Sequence, residues 1–400
     1  MTDMSLIKTL AQSTPSKIVL LVLDGLGGLP DPATGKTELE TARTPNLDQL
    51  AASGVCGLSV PVGAGITPGS APGHTALFGY DPLQVSIGRG VLEAVGIDFP
   101  IEPGDVLSRG NFCTVDAAGN VTDRRAGRIT TELNASLCPQ LEMTIEDARV
   151  LTAPVKEHRL VVAFRGPGLS PEVTESDPQH TGVSPAPVTA LVPPAGKMAR
   201  IANEFAARAG QRLAGKHPAN MVLLRGFSRK PDLASMQEIY RLKPAAIATY
   251  PMYRGLARLV GMDILTTGQT LDDEIQTLRQ HFAAYDFFFV HVKKLDAAGE
   301  DGDFARKVQG LEEIDRAIPG IVDLKPDVIV VTGDHSTPAV MGGHSWHPVP
   351  TLLHGRFCRP DRVTEFDEAA CLQGGLGIFP ATDIMPLAMA NALKLNKYGA

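Results

Sequence analysis

Apolar and polar positions along this chain fall into two patterns. Three segments, Lys17-Ile-Val-Leu-Leu-Val-Leu, Phe287-Phe-Phe-Val-His-Val and Asp327-Val-Ile-Val-Val-Thr, are continuous apolar runs rich in β-branched and aromatic residues. Runs of that length with no polar face predict strands buried on both sides. Helical patterns separate the later ones. Thr270-Leu-Asp-Asp-Glu opens a helix that extends to about Ala284, and Phe304 to about Val322 carries apolar residues at three- and four-residue spacings. Strands alternating with helices predict an α/β domain with a mainly parallel sheet flanked by helices. Ligands in such sheets bind beyond the carboxyl ends of the strands. Each of the three runs leads directly into acidic or imidazole residues.

The middle of the chain follows another rule. From about Asp98 to Arg225 it is rich in Gly, Pro and short alternating segments. Asn111-Phe-Cys-Thr-Val-Asp, a turn at Ala117-Ala-Gly-Asn120 and Val121-Thr-Asp123 read as a β-hairpin. Lys197 to Leu213 has the spacing of an amphipathic helix. The expected organisation is therefore a discontinuous core, residues 1–97 and 240–400, carrying an inserted α+β domain at 98–239, with the first sheet resuming near Ala245.

Composition narrows the class. Four hundred residues, 44% apolar and 20% charged, fit a soluble globular protein of two or three domains at roughly 150 residues each. A net charge of −7 argues against nucleic acid or an anionic membrane as the main partner, while leaving room for a locally basic site on an anionic substrate. The five cysteines are scattered and form no Cys-x-x-Cys pair, which points to free thiols in a reducing compartment. No apolar run reaches the ~18 residues of a membrane span. The short run Ile18 to Leu23 lacks the basic flank and cleavage site of a signal peptide. The expected location is the cytoplasm.

Candidate chemistry collects at the strand ends. Asp24 follows the first run and precedes Gly25, Gly27 and Gly28, which let the backbone turn close to whatever the carboxylate holds; an Asp capping a turn would look the same. Gly35-Lys36-Thr37 resembles the end of a phosphate-binding loop, but Pro30 stands where its first glycine belongs. Thr44-Pro45-Asn-Leu-Asp marks a helix start with Thr44 as N-cap and Pro45 at the first position. Thr67-Pro-Gly-Ser70-Ala-Pro-Gly-His74-Thr-Ala-Leu-Phe sets Ser70 at or just before a helix N-terminus, where amide donors and the helix dipole favour an alkoxide and a phosphate. A serine in such a loop is commonly only a turn residue, so its weight comes from its company. After the second strand comes Lys293-Lys294-Leu-Asp296-Ala-Ala-Gly-Glu300-Asp301-Gly-Asp303; after the third, Thr332-Gly-Asp334-His335-Ser336, then Gly343-His344-Ser-Trp-His347-Pro348. A solvated acidic loop accounts for Asp301 and Asp303 but not for all three clusters at equivalent places. Carboxylates and imidazoles without cysteine favour divalent ions such as Mn²⁺ or Zn²⁺. Two such ions with a serine between them suit phosphoryl transfer.

The Asp24-Gly25 strand end, Thr44-Pro45-Asn46-Leu47-Asp48 and the Asp334-His335 pair resemble the alkaline phosphatase superfamily. Ser70 in Pro-Gly-Ser-Ala-Pro-Gly-His, with Val85-Ser-Ile-Gly-Arg89-Gly and Asp123-Arg-Arg-Ala-Gly-Arg128, resembles its archaeal-type 2,3-bisphosphoglycerate-independent phosphoglycerate mutases, essentially end to end. The resemblance implies an alkaline-phosphatase-like core and interconversion of 3- and 2-phosphoglycerate through phosphoserine on Ser70. It implies two divalent ions, manganese foremost, with Asp24, Ser70, Asp334 and His335 on one and Asp296 and His344 on the other; no 2,3-bisphosphoglycerate is needed. His344 is preferred to His347 by its spacing to Pro348-Val-Pro. One departure stands out. Better-known members of the wider family have a His four residues after the first-metal Asp, where this chain has Glu300, a harder ligand that biases the site toward Mn²⁺.

A phosphoglycerate carries a phosphate and a carboxylate, and arginine grips both in two-pronged fashion. The candidates are Arg89, Arg109, Arg124, Arg125, Arg128, Arg225 and Arg254, with Asp123 beside them. His158 and His180 are candidate general bases, with Asp123 and Asp177 as alternatives. The implied reaction is ping-pong within one site, with the insert acting as a lid that excludes water. Rival readings are a phosphatase or homoserine-kinase-like enzyme of the same superfamily, and a non-catalytic metal-binding descendant. The kinase would need a nucleotide loop, which the sequence does not show; the arginine set separates a mutase from a simple phosphatase.

Overall fold

The computed structural model describes residues 3–85 and 87–399, so Ser86 of the Val85–Gly90 motif lies outside the described residues. They form two compact units, one of residues up to 85 and from 233 onward, the other of residues 87–232.

The first unit is built on an eight-stranded sheet. Its order is Asp263–Ile264, Pro244–Ala248, Phe287–Val292, Ile18–Leu23, Val328–Thr332, Val349–Gly355, Val55–Val60 and Gly377–Pro380. The first five pair in parallel, and Gly377–Pro380 runs parallel to Val55–Val60. Val349–Gly355 alone is antiparallel to both neighbours. The mainly parallel sheet expected from the three apolar runs is thus present, with Ile18–Leu23 between the other two. Every residue of those three strands is buried, which is why none shows a polar face. Val19, Leu21 and Leu23 share one core with Leu47 and Leu50 of the helix Pro45–Ser53 and with Leu311, Ile314 and Ile318 of the helix Phe304–Val322.

Two helix starts follow local chemistry and a third does not. Asp303 caps Phe304–Val322 by accepting from Arg306 N–H, and Thr270 and Asp273 form a reciprocal capping box on Leu271–His281. Thr44 sits at the N-cap of Pro45–Ser53, yet its side chain makes no capping bond. Its backbone, at φ −124° and ψ 54°, departs from the extended geometry from which a cap reaches forward. The buried carboxylate of Asp315, on the neighbouring helix, takes over. Its Oδ1 accepts from Asn46 N–H at 3.0 Å and Leu47 N–H at 2.8 Å, and its Oδ2 from Asn46 Nδ2 at 2.8 Å. Asp315→Ala strands three donors, so it is expected to destabilise the fold by about 3 kcal/mol, against about 1 for an ordinary cap, read as a lowered urea midpoint.

Glu274, on Leu271–His281, is 4% exposed. Burial pushes its carboxyl up to about 8, with Asp273 adding to the shift and Lys294 opposing it. The folded chain therefore keeps a proton that the unfolded chain sheds above about pH 4.5. Stability falls as pH rises from there to about 8 and levels off beyond. Glu274→Gln removes the penalty. It is expected to match wild type near pH 4 and to exceed it at pH 8 by on the order of 3 kcal/mol, measured by urea unfolding at both pH values.

The second unit is an antiparallel sheet ordered Val121–Asp123, Val106–Val115, Arg159–Arg165, Ala148–Lys156 and Met143–Ile145, with Met221–Ser228 on the other side of Val106–Val115. The expected hairpin is there, Thr114 opposite Asp123 with the turn closed by Asp116 N–H on Asn120 C=O. The helix Gly196–Leu213 packs Met198, Ile201 and Phe205 against Val162 and Phe164. The sequence reading sets the insert at 98–239, whereas this unit runs from 87 to 232. The helix Arg89–Gly96 packs on Val106–Val115 and Met221–Ser228. A Cβ on Gly90 would lie 2.3 Å from the Leu107 carbonyl oxygen, so the two backbones meet directly. The helix Met236–Tyr240 packs on Met4–Leu10 in the first unit. All five cysteines are free, four of them buried. Among the described residues no helix is long and apolar enough to cross a membrane.

Candidate active site

Three parallel neighbours, Phe287–Val292, Ile18–Leu23 and Val328–Thr332, end at one edge of the first unit's sheet. Their register brings Asp24, Lys293 and Asp334 together one or two residues past the strands. Gly25 makes the approach possible. Its φ is +72°, and a Cβ there would lie 2.6 Å from Thr337 Oγ1 and 2.8 Å from Asp296 Cα, so only glycine fits on both counts. Its N–H donates to Asp334 Oδ1 at 3.2 Å.

Ser70 is the first residue of the helix Ser70–Leu77. Gly73, one turn on, lets that helix lie against the Asp334 loop; a Cβ would come within 2.2 Å of the Asp334 carbonyl oxygen. Ser70 Oγ stands 3.4 Å from His335 Nε2. That nitrogen is 3.1 Å from Asp334 Oδ2 and 3.5 Å from Asp24 Oδ1. Beside this group is a second one. His344 Nε2 lies 3.4 Å from Asp296 Oδ1, its ring stacks on His335 at 3.7 Å, and its Nδ1 meets the Pro68 carbonyl at 2.9 Å. Asp24, Asp334 and His335 form one three-donor group and Asp296, His335 and His344 another, each with its ligand atoms within 4.8 Å of one another.

Glu300 falls outside both groups. Its side chain is 55% exposed, with Oε1 3.7 Å from His344 Nε2 at the rim. His347 also stands apart, its Nδ1 on Ser345 Oγ.

The electrostatics suit a cation. Asp24 and Asp334 are fully buried, and Asp24 Oδ1 and Asp334 Oδ2 receive no hydrogen bond from the described residues. Two such oxygens buried side by side are costly unless positive charge faces them. Burial and the charge of Asp24 push the Asp334 carboxyl up. Burial would raise Asp24 as well, but His291, Lys293 and His335 hold it well below the usual range. Burial would lower His344, yet Asp296 and the Pro68 carbonyl push it up to about 9. Carboxylate oxygens and imidazoles alone make up the donor set, which fits hard or borderline divalent ions.

Several residues at this edge escape a reading of motifs. Lys293 Nζ bonds Asp296 Oδ2 and lies 3.3 Å from Asp24 Oδ2. His74 Nδ1 is 2.8 Å from the Ser70 carbonyl oxygen and 3.1 Å from Asp334 Oδ2. His291 Nε2 is 3.4 Å from Asp24 Oδ2. Thr337 Oγ1 donates to Asp296 Oδ1 at 2.8 Å and meets His335 Nδ1 at 3.0 Å, fixing both. Tyr253 donates to Asp24 Oδ2. A single imidazole inside the run Phe287–Val292 is a readable signal for His291. Tyr253 has none, since a tyrosine on a helix commonly only fills a core.

The second unit carries its own charged cluster. Arg109 and Arg225 face each other across paired strands. Arg109 bonds Glu93 at 2.8 Å; burial, then the charges of Arg159, Arg89 and Arg225 that crowd it, lower its pKa against the pull of Glu93. Arg159 is a further guanidinium that the sequence reading does not single out. Arg225 lies 3.3 Å from Glu175 and 3.4 Å from Asp177. Arg124 grips Asp177 with two bonds of 2.9 and 2.8 Å. Asp123 is spent on the Arg125 and Gly127 N–H groups, while Arg89, Arg125, Arg128 and His180 are exposed. His158 is buried; desolvation, then neighbouring Arg159, push it down to about 4. Arg254 belongs to the first unit, half-buried on the helix Pro251–Leu259.

Known proteins share both sequence and fold with this chain. A family model described as 2,3-bisphosphoglycerate-independent phosphoglycerate mutase matches residues 51–220. Proteins named as probable 2,3-bisphosphoglycerate-independent phosphoglycerate mutases are similar to it throughout. That of Thermotoga neapolitana is 51% identical over 98% of both chains, and one from Thermus thermophilus is 49% identical over 98% of both. Among solved structures, a protein of Pyrococcus horikoshii superposes with a TM-score of 0.83 at 30% identity, covering 97% of this chain and all of that one. The cofactor-independent phosphoglycerate mutase of Thermoplasma acidophilum does so at 0.74 and 31%, covering 94% of this chain and all of that one. With half its residues shared over nearly its whole length, this chain belongs to the 2,3-bisphosphoglycerate-independent phosphoglycerate mutase family.

Proposed function

We propose that the protein interconverts 3-phosphoglycerate and 2-phosphoglycerate without 2,3-bisphosphoglycerate, passing the phosphoryl group through Ser70. The observation that carries this reading is Ser70 Oγ, 3.4 Å from His335 Nε2 at a helix start, beside two groups of carboxylate and imidazole donors. Asp24, Ser70, Asp334 and His335 would hold one divalent ion; Asp296 and His344 would hold the other, with Glu300 reaching in from the rim. Bound there, such ions lower the pKa of a serine hydroxyl and neutralise charge on the transferring group.

The chain's own residues do the rest. The start of Ser70–Leu77, which no side chain caps, favours an anion at the same point. Lys293, which Asp24 and Asp296 keep charged against the effect of burial, adds a fixed positive charge. Arg89, Arg109, Arg159 and Arg225 supply the clustered guanidinium groups that a substrate bearing phosphate and carboxylate requires. Arg124, Arg125, Arg128 and Arg254 complete the candidate set, Arg124 being held in place by Asp177. His158, held neutral by desolvation and neighbouring Arg159, would be the general base for the free substrate hydroxyl. His180, exposed in its loop, is the lesser candidate.

The test uses metal-depleted protein, 3-phosphoglycerate and no 2,3-bisphosphoglycerate, with 2-phosphoglycerate consumed by added enolase. Activity is expected to return on adding Mn²⁺ and to vanish with excess chelator. No 2-phosphoglycerate with Mn²⁺, Co²⁺ or Zn²⁺ would overturn the reading, and release of inorganic phosphate in its place would make the protein a phosphatase. A carboxylate at position 300 is expected to favour Mn²⁺, and equal activity with Zn²⁺ would remove that bias.

A further inference from the structure

We infer that Tyr253 is a positioning residue for this reaction: its hydroxyl sets which oxygen of Asp24 faces the cation. The inference rests on the metal-dependent reading above. Tyr253 lies on the helix Pro251–Leu259 and is fully buried. Its ring stacks on His291 at 3.7 Å and sits 4.7 Å from the ring of His74. Phenylalanine would satisfy that packing equally well. A buried hydroxyl needs a partner, and this one donates to Asp24 Oδ2 at 2.5 Å.

The consequence for Asp24 is asymmetry. Oδ2 receives Tyr253 and lies 3.3 Å from Lys293 Nζ and 3.4 Å from His291 Nε2. Oδ1 receives no hydrogen bond from the described residues and faces His335 Nε2 at 3.5 Å. The carboxylate is thereby offered to a cation through one oxygen.

Tyr253→Phe tests this by three readouts: Mn²⁺ affinity by competition with a chromogenic chelator, kcat and KM for 3-phosphoglycerate, and the thermal midpoint of metal-free protein. Loss of an outer partner of a metal ligand lowers affinity or activity by about 10- to 100-fold. The expected result is Mn²⁺ binding weakened about tenfold and kcat lowered about 10- to 100-fold, with KM within twofold and the metal-free midpoint unchanged. Mn²⁺ affinity and kcat both within twofold of wild type would overturn the role of Tyr253 alone. So would a lowered metal-free midpoint with unchanged affinity, which marks a packing role. Wild-type protein that shows no saturable Mn²⁺ binding would overturn the metal reading, and this inference with it.

Discussion

Ser70→Ala is expected to lower mutase activity by at least about 10⁴-fold, the scale seen when a covalent nucleophile is removed. The helix that Ser70 opens offers no ready substitute among its described residues. The residues that follow Ser70 are Ala71, Pro72 and Gly73, and the next hydroxyl on the helix, Thr75, donates back to the Ala71 carbonyl at 2.7 Å. The variant keeps Asp24, Asp334 and His335, so its Mn²⁺ affinity should fall far less than its rate. That separation distinguishes loss of the nucleophile from loss of the ion. Two measurements check it: the enolase-coupled rate, and mass spectrometry of wild-type protein quenched during turnover, where a phosphate is expected on the peptide holding Ser70. Retention of more than about 1% of activity would exclude phosphoserine as the obligatory intermediate while leaving the reaction itself intact.

The largest expected effect on stability is at Lys307. Its side chain is wholly buried, and its Nζ donates to the Gly27 carbonyl at 3.0 Å and the Thr337 carbonyl at 2.9 Å. Glu38 Oε1, also buried, lies 3.7 Å away and accepts from Ala339 N–H. Burial lowers the lysine's pKa, against the pull of Glu38, Glu368 and Asp296. One ammonium thus ties the turn after Asp24 to the loop after His335. Lys307→Met fills the volume but removes a donor from the Thr337 carbonyl, leaves the Gly27 carbonyl to the Thr337 N–H, and leaves a carboxylate without its cation in the interior. Breaking one side of such a pair costs about 3–5 kcal/mol, to be read as a lowered urea midpoint. Adding Glu38→Gln should recover part of the loss, because it removes the unpaired charge while an amide oxygen can still accept from Ala339. Failure of the double variant to recover any stability would mean that the carbonyl contacts, and not the charge, dominate.

Much of this was legible without coordinates. A strand with neighbours on both sides and helices over it must be almost wholly apolar, so Ile18–Leu23, Phe287–Val292 and Val328–Thr332 announce themselves, and the residues just past them announce the candidate site. Asp24, Ser70, Asp334, His335, Asp296 and His344 follow from that rule together with the family resemblance. Capping is local as well, so Thr270 and Asp303 are readable as helix starts. The start at Pro45 is not, because Asp315 comes from a helix about 270 residues further along the chain.

The same division runs through the chemistry. Sequence alone determined which segments are strands, which carboxylates and imidazoles sit at their ends, and that a serine opens a helix nearby, because each depends on neighbours in the chain. Tertiary structure alone decided which of those groups meet. It put Glu300 at the rim with its side chain half exposed, drew Lys293, His74 and His291 against the two buried aspartates, and clustered Arg89, Arg109, Arg159 and Arg225 in the second unit. It also gave the hydroxyl of Tyr253 a partner 229 positions away. Those contacts are set by the register of parallel strands and by the close approach that Gly25 and Gly73 permit, and neither can be read from residue spacing along the chain.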